Sequence, residues 1–371
     1  MIGGGQLARM THQAGIGLGI DFRLLAEGPD TSAAKVVHDV TVGDHRDLET
    51  LLAFVQGCDV VTFDHEHVPP EALRKLESEG VVLRPGPHAL TYAQDKAMMR
   101  ERLTAAGIAC PRYRVLDDPA DVADAGAELG WPLVLKTSRG GYDGKGVWIV
   151  DVADEVAEPF AAGVPIVAEE RVDFRRELAA VVARSPSGQA VAYPVVHAVQ
   201  RDGICHEVVA PAPDLAEEQA LAAQRMALTI ARELDVTGIL AVELFETRDG
   251  DILVNELAMR PHNTGHWTID GAVTSQFENH LRAVLDLPLG APTPRAPWTV
   301  MVNVLGGDYP DMHRAFLHCM ARDPRLRIHL YGKEVRPGRK VGHVTAYGTD
   351  LEAVRERARH AAAYLTGEID E

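Results

Sequence analysis

Cysteine is scarce in this chain of 371 residues, and its four copies, Cys58, Cys110, Cys205 and Cys319, stand far apart with no paired spacing. That excludes a zinc ribbon and a disulfide framework, and it points to a reducing, cytoplasmic setting. Long apolar runs are missing too. None approaches the roughly 20 residues of a membrane helix, and the N-terminus shows no charged-then-apolar export signal. Basic residues are outnumbered, 37 Lys and Arg against 54 Asp and Glu, for a net charge of −17. Binding along a nucleic-acid backbone needs a positive surface, so a polymer of phosphates is excluded as a partner. A small phosphorylated ligand is not, because a local cluster of cations suffices for it. The remainder, 46% hydrophobic and 25% charged, is ordinary globular composition, and the length exceeds what one core usually serves. Two or three domains are expected.

What is present begins with glycine. Met1 to Ala8 read MIGGGQLA, in which Gly3, Gly5 and Ala8 satisfy G-x-G-x-x-A ahead of a helical stretch. Such a turn follows a strand, yet only Met1 and Ile2 precede it, so the first strand is expected to be missing or cut short. The short apolar runs DFRLLAE, VVHDVTVG and CDVVTFD alternate with helical patterns over 47 to 56 and 70 to 79, which is α/β character. A Pro/Gly break at 84 to 87 closes this unit near residue 90. A helix over about 95 to 106 follows, and the pattern then changes to strand pairs: LVLKT with VWIV across a glycine loop, PIVAEE with ELAAVVAR, then QAVAYPVV. The next helix runs to about 234, with Asp214 as N-cap and Glu217 completing a capping box. GILAVELFE and DILVNELAM form a hairpin about Asp249 and Gly250. A Pro-rich stretch over 287 to 298 marks a second boundary. The chain therefore reads as α/β and α+β in three units: a Rossmann-like 1–90, a central 91–295 and a small 296–371.

The most informative segment is KTSRGGYDGKG, Lys136 to Gly146, a strand-borne lysine followed by four glycines in seven residues. Glycines let backbone amides approach an anion, so a hairpin over phosphates with Lys136 as a point charge is one reading, and a mobile hairpin tip is the other. It is not a Walker A loop, since Lys145 is followed by Gly146 and a β-like run. In the later hairpin, a two-residue turn at Asp249 and Gly250 places Glu243 directly opposite Glu256. Like charges so placed repel, and a divalent cation with oxygen ligands, most naturally Mg²⁺ shared with nucleotide phosphates, neutralises them. A longer loop would separate the two. The same register turns Asn255 to the other face. RPHNTGHW, Arg260 to Trp267, sets a polar turn just beyond; Pro261 and Gly265 argue against a helix that would pair His262 with His266 on zinc. YGKEVRPGRKVGH concentrates Lys333, Arg336, Arg339, Lys340 and His343, a cluster able to hold a phosphate monoester, although taken alone such a run reads as a solvated face. The Gly3 to Gly5 turn could receive phosphate or ribose at a helix N-terminus, and Asp64, His65, Glu66 and His67 follow a strand where an α/β crevice lies.

Together, the glycine hairpin with its strand lysine, the opposed glutamates and the α/β unit before them resemble the ATP-grasp superfamily. Within it, GGGQLARM, GGYDGKGVW, NELAMRPHNTGHWT and KEVRPGRKVGH, in this order over nearly the whole chain, resemble the N5-carboxyaminoimidazole ribonucleotide synthetases of purine biosynthesis. The resemblance implies an ATP-grasp fold with a pre-ATP-grasp N-terminal domain and a small C-terminal domain. It implies a ligase, cytoplasmic and homodimeric, that uses ATP and Mg²⁺ or Mn²⁺ to join bicarbonate to 5-aminoimidazole ribonucleotide through carboxyphosphate. Lys96 and Lys136 would contact ATP phosphates under the loop Gly141, Tyr142, Asp143, Gly144, Lys145, Gly146 and Val147. Glu169, Glu170, Arg171 and Val172 would hold adenine, Glu177 the ribose, and Glu243 and Glu256, accompanied by Asn255, the metal. Arg260, His262 and Asn263 would position bicarbonate or carboxyphosphate. Lys333, Arg336, Arg339 and Lys340 would bind the ribonucleotide phosphate, and Gly5, Gln6, Leu7 and Glu66 the rest of that substrate.

The sequence departs from the family pattern in places. Its E-x-E-N-V segment appears as Asp64 to Val68 with His67 in place of asparagine, Gln200 stands after His197 where a histidine is usual, and Thr264 replaces serine. Three other readings stay open: a dinucleotide oxidoreductase with Glu27 on the ribose, another ATP-grasp ligase or transformylase on a purine ribonucleotide, and a nucleotide-binding module without turnover.

Overall fold

The computed structural model describes residues 1–371 apart from 142–144, 154–156, 162, 308 and 371. The glycine turn opens α1 (Gln6–Leu18), which stops at Gly19, whose φ of 66° only glycine adopts cheaply. The first apolar runs become β1 (Arg23–Ala26) and β2 (Asp39–Val42), paired in parallel. The first strand is short but not missing. Ile2 bridges in parallel to both Leu25 and Phe63, and Val61 bridges to Leu83. Ile2 N–H donates to Thr62 O and Gly3 N–H to Leu25 O, each at 2.9 Å, so two residues suffice to carry the central ladder. The resulting parallel order, 39–42, 23–26, 2, 61–63, 83, is doubly wound, and its switch point lies beside Ile2. α2 (Leu48–Phe54) is capped by Asp47, and α3 (Pro70–Ser78) follows. The Pro/Gly break does not end in a loop: Pro87 starts α4 (Pro87–Gln94), where its missing N–H costs nothing.

α5 (Lys96–Ala105) is capped by Asp95, which accepts from Met98 N–H at 3.1 Å. Next come β3 (Tyr113–Leu116), α6 (Val122–Leu129), β4 (Leu133–Thr137), β5 (Val147–Val150), α7 (Ala157–Phe160) and β6 (Ile166–Glu170). The four strands form an antiparallel sheet in the order β3-β6-β4-β5, with Lys136 opposite Val147 as the glycine-loop pairing predicts. The predicted pairing of PIVAEE with ELAAVVAR fails. β3 and β4 already occupy both edges of β6, so the chain leaves for a second sheet through β7 (Phe174–Arg184).

That second sheet is antiparallel and has nine strands. It continues with β8 (Ala190–Ala192), β9 (Val196–Arg201) and β10 (Ile204–Ala210), then α8 (Glu217–Glu233). α8 begins behind Ala216; Asp214 has φ 54°, a turn conformation that cannot serve as N-cap. β11 (Gly238–Thr247), β12 (Ile252–Ala258), α9 (Thr268–Gly271) and α10 (Gln276–Val284) precede β13 (Trp298–Leu305), α11 (Met312–Arg322), β14 (Arg327–Leu330), β15 (Lys340–Gly348) and α12 (Leu351–Thr366). The order is β12-β11-β7-β9-β10-β13-β15-β14, with β8 on β7, so the strands beyond the Pro-rich stretch extend the same sheet. One apolar cluster runs from Ile2 and Phe63 through Met99 and Leu103 to Leu244 and Val254, which fixes the first unit's strand ends against this sheet. No helix among the described residues is long and apolar enough to cross a membrane.

Candidate active site

A cavity of about 1060 Å³ opens where the four-stranded sheet, the β7-β11-β12 end of the large sheet and the 64–68 turn of the first unit meet. The β11–β12 hairpin supplies its acids. Its loop is three residues long, with Gly250 at φ 89°, and Leu244, Phe245 and Glu246 pair one residue out of the predicted register. A bulge beside Glu243 then restores the register, and Glu243 lies opposite Glu256. The carboxylates are opposed as predicted, but through two offsetting shifts. The bulge also corrects Asn255, which turns into the site, where its Oδ1 accepts from Lys136 Nζ at 2.9 Å.

The cations divide unevenly. Lys96 Nζ is 2.6 Å from Glu256 Oε1, and Lys136 Nζ is 2.8 Å from Glu169 Oε2. Burial, with Glu256 and Glu177 nearby, pushes the Glu243 carboxyl up to about 8. Burial acts in the same sense on Glu256, but Lys96 overrides it and holds that carboxyl below its ordinary value. An opposed, hard-oxygen pair with one member short of positive charge fits a dication such as Mg²⁺. Glu243 Oε1 instead faces His262 Nε2 at 3.5 Å, and burial together with Arg260 and Lys340 lowers that imidazole well below its usual range, so it is neutral.

The polar turn after β12 is organised by a residue that no local pattern marks. Gln276, fully buried at the start of α10, accepts from His262 N–H at 2.9 Å and donates to His262 O at 2.7 Å. Its amide also lies 3.2 Å from His266 Nδ1, and His266 is buried against Phe277 and His343, away from any shared zinc with His262. Thr264 Oγ1 lies 2.9 Å from His262 Nδ1, a contact that serine's hydroxyl could also make. Arg260 Nε donates to Glu66 Oε2 at 2.8 Å. Asn263 lines the cavity with its Nδ2 buried and, apart from the weakly accepting Cys205 sulfur, unpartnered.

Of the other residues read from sequence, Gly141, Val147, Glu170, Arg171, Val172 and Glu177 line the cavity. Lys145 and Gly146 sit in the turn before β5, and Tyr142, Asp143 and Gly144 lie outside the described residues. Burial raises Glu177 to about 7, whereas Lys136 and Arg100 hold Glu169 down at about 2 against an opposing burial penalty. Gln6, Leu7, Glu66 and Lys340 also line the cavity, as do Gln94, Asp95, Arg139, Phe174 and Phe245, which no motif marks. Gln200 lines it and His197 does not.

Gly5 and the arginine cluster stand outside the cavity lining. The Asp64 carboxylate accepts from Gly5 N–H and, at 3.3 Å, from Ala8 N–H, so two amides of the α1 N-terminus are already engaged by an anion, while Gln6 and Leu7 line the cavity. Glu27, the acid that a dinucleotide reading assigns to ribose, likewise accepts from Gly4 N–H at 3.2 Å and so engages one more amide of the glycine turn. Lys333 donates to Gln6 Oε1, Arg336 pairs with Glu334, and Arg339 donates to Glu334 O at 3.2 Å; neither arginine lines the cavity. Glu27, His45 and His65 bring ligand atoms within 4.8 Å of one another. His65 Nδ1 accepts from His67 N–H at 3.1 Å, and His65 Nε2 lies 3.3 Å from Glu27 Oε1. His45 Nδ1 lies 3.6 Å from Glu27 Oε1 and has no hydrogen-bond partner among the described residues.

This arrangement recurs in known proteins. Residues 1–94 match the ribonucleotide synthetase preATP-grasp domain, 101–277 the ATP-grasp domain and 299–357 the phosphoribosylaminoimidazole carboxylase C-terminal domain. The N5-carboxyaminoimidazole ribonucleotide synthase of Mycobacterium tuberculosis (H37Rv) is 56% identical over 99% of this chain and 87% of its own length. That of Corynebacterium ammoniagenes is 48% identical over 98% and 91%. Among solved structures, the Thermus thermophilus synthetase superposes with a TM-score of 0.89 at 38% identity over all of both chains. An Aspergillus clavatus synthase in complex with ADP and 5-aminoimidazole ribonucleotide superposes with a TM-score of 0.89 at 33% identity, covering 99% of this chain and 98% of that one. The ATP-grasp architecture, the opposed acids and the matches along the whole length place this chain in the N5-carboxyaminoimidazole ribonucleotide synthase family.

Proposed function

We propose that this chain is the ATP-dependent ligase that converts 5-aminoimidazole ribonucleotide and bicarbonate to N5-carboxyaminoimidazole ribonucleotide, with ADP and phosphate released. The observation that carries this reading is the joining of two chemistries in one cavity. Lys96, Lys136 and the opposed Glu243 and Glu256 form a nucleotide-phosphate end, and Arg260, neutral His262 and Asn263 form an adjoining oxyanion end. The backbone of 169–172 suits adenine, because the Glu169 carboxylate is turned inward, and Glu177 suits the ribose. Glu243 and Glu256 would hold Mg²⁺, which when bound offsets charge on the transferring phosphoryl group. A bicarbonate oxygen attacks the γ-phosphorus, the bond to ADP breaks, and carboxyphosphate forms. The ribonucleotide amine then takes the carboxyl carbon, directly or as released CO₂, and phosphate leaves. Arg260 and the Asn263 amide, held among the described residues only by the weakly accepting Cys205 sulfur, are placed to donate to the carboxyphosphate oxygens, and His262 can donate without adding charge. Lys340, with Lys333 through Gln6, forms the cationic side that would face the ribonucleotide phosphate, and Glu66 steadies Arg260.

The three family matches along the chain support three units, pre-ATP-grasp, ATP-grasp and C-terminal; the chain is read as a cytoplasmic homodimer, and sedimentation tests the oligomeric state. The decisive assay couples ADP release to its substrates. ADP should appear only when bicarbonate, 5-aminoimidazole ribonucleotide and Mg²⁺ are all present, and chelation should stop it. ADP release indifferent to the ribonucleotide overturns the reading, a panel of other purine ribonucleotides separates related ligases, and ATP binding without turnover identifies a non-catalytic module.

A further inference from the structure

Lys136, the cation read at the ATP phosphates, has a partner of its own. Its ammonium is paired at 2.8 Å with Glu169, whose side chain is only 3% exposed. A buried lysine neutralised by a buried carboxylate has little net charge to offer an anion. The structure supplies a third member. Arg100, on α5, is fully buried and does not line the cavity. Its Nε donates to Glu169 Oε1 at 2.7 Å, and its second arm donates to the Asn255 backbone oxygen at 2.7 Å. Asn255 in turn accepts from Lys136 Nζ at 2.9 Å. One guanidinium thus grips the two groups that flank the lysine.

We propose that Arg100 is a positioning residue of the ATP site, neutralising Glu169 so that the Lys136 charge remains available to phosphate and fixing the Asn255 bulge so that the ammonium is correctly held. The triad of Arg100, Glu169 and Lys136 carries one net positive charge; without Arg100 it carries none. Two of the three ammonium hydrogens are engaged by Glu169 and Asn255, and among the described residues the third has no hydrogen-bond partner and can meet a ligand oxygen. Simple structural pairing would explain the burial of Arg100. It would not explain why the carboxylate is shared between one cation inside the cavity and one outside it, nor why the second arm reaches the bulge that carries Asn255.

This inference rests on the ATP reading above, and the test separates the two. In the full chain, Mg-ATP binding is followed by calorimetry, and KM and kcat by the coupled ADP assay. Arg100→Met is expected to raise the KM for ATP at least about tenfold, the loss of one buried charged contact, with the ribonucleotide KM unchanged. Arg100→Met combined with Glu169→Gln removes the buried pair as a unit and leaves Lys136 charged, so ATP affinity should return to within about fivefold of the parent, the remainder being the lost grip on Asn255. A double variant no better than Arg100→Met, or an Arg100→Met that binds ATP like the parent, overturns the proposal. If Arg100→Met does not fold, the double variant alone decides: affinity near the parent's supports the charge role and a tenfold loss refutes it. Arg100→Lys keeps the charge and one arm, and should raise the ATP KM about two- to fivefold at unchanged kcat; no change refutes the two-armed role. A parent chain that binds no ATP brings down the site reading itself, and this inference with it.

Discussion

Glu177 lines the cavity on β7 with only Lys136 acting against its desolvation, and its carboxyl is raised to about 7. Below the unfolded value near 4.5 the group is protonated in both the folded and unfolded chain and contributes nothing. Between about 4.5 and 7 the unfolded chain releases the proton while the folded chain keeps it, so stability falls as pH rises, and above 7 the penalty is constant. The size is about 1–3 kcal/mol after allowance for its partial exposure. Glu177→Gln should therefore raise the thermal midpoint of the ligand-free chain at pH 8 and leave it unchanged at pH 4.5. A difference independent of pH would show that Glu177 is ionised in the folded chain. Bound nucleotide hydroxyls would satisfy the same carboxylate, so ATP should narrow the gap at pH 8.

Elements carry the acids to this site, and they were legible to different depths. The β11–β12 hairpin announced itself through alternation and Asp249-Gly250, yet its loop is one residue longer than the dipeptide suggests, and only the bulge at Asn255 returns Glu243 and Glu256 to opposition. Local turn chemistry fixes a register only when nothing downstream shifts it. β6 and β7 looked like a pair because strand propensity is local, whereas sheet membership is decided by which edges are already filled. Gln276 and Arg100 were invisible as functional residues because their partners are remote: Gln276 is 14 residues from His262 and Arg100 is 69 from Glu169. Asp64 was marked as a crevice residue, but not its bond to Gly5, 59 residues away. Motif residues such as Lys136, Glu256 and Arg260 were legible because glycine loops and opposed acids have local signatures. The packing of α12 rests on another remote pair. Glu207 of β10 is fully buried and accepts from Arg355 Nε at 3.1 Å and Arg359 Nη2 at 3.0 Å, both on α12. Glu207→Ala should cost about 2–4 kcal/mol in denaturant unfolding, since it strands two cations against the sheet, while the KM for ATP stays unchanged. A loss under about 1 kcal/mol would mean that apolar packing alone docks the helix.

At the scale of the whole molecule, the Pro-rich stretch over 287 to 298 marks a change of unit but not of sheet. β13 pairs with β10 through Glu207 to Ala210, and β15 and β14 continue outward from it. The apolar cluster around Val300, Val302, Val344 and Val354 also includes Val209 of β10, so the interface between units is part of a core. Truncation after residue 296 would remove that cover and leave β10 as a bare edge beside exposed valines, a template for association with other chains. It would also remove Lys340 from the cavity. The 1–296 fragment should therefore be recovered aggregated or partly unfolded, and the full chain should unfold in one calorimetric transition, because cores that share strands cannot melt separately. A soluble, monomeric 1–296 fragment with native-like circular dichroism and the parent's ATP affinity would show instead that the C-terminal strands are an appendage. In that case the continuous sheet would be a matter of register alone, and the ribonucleotide end of the cavity could be lost without disturbing the nucleotide end.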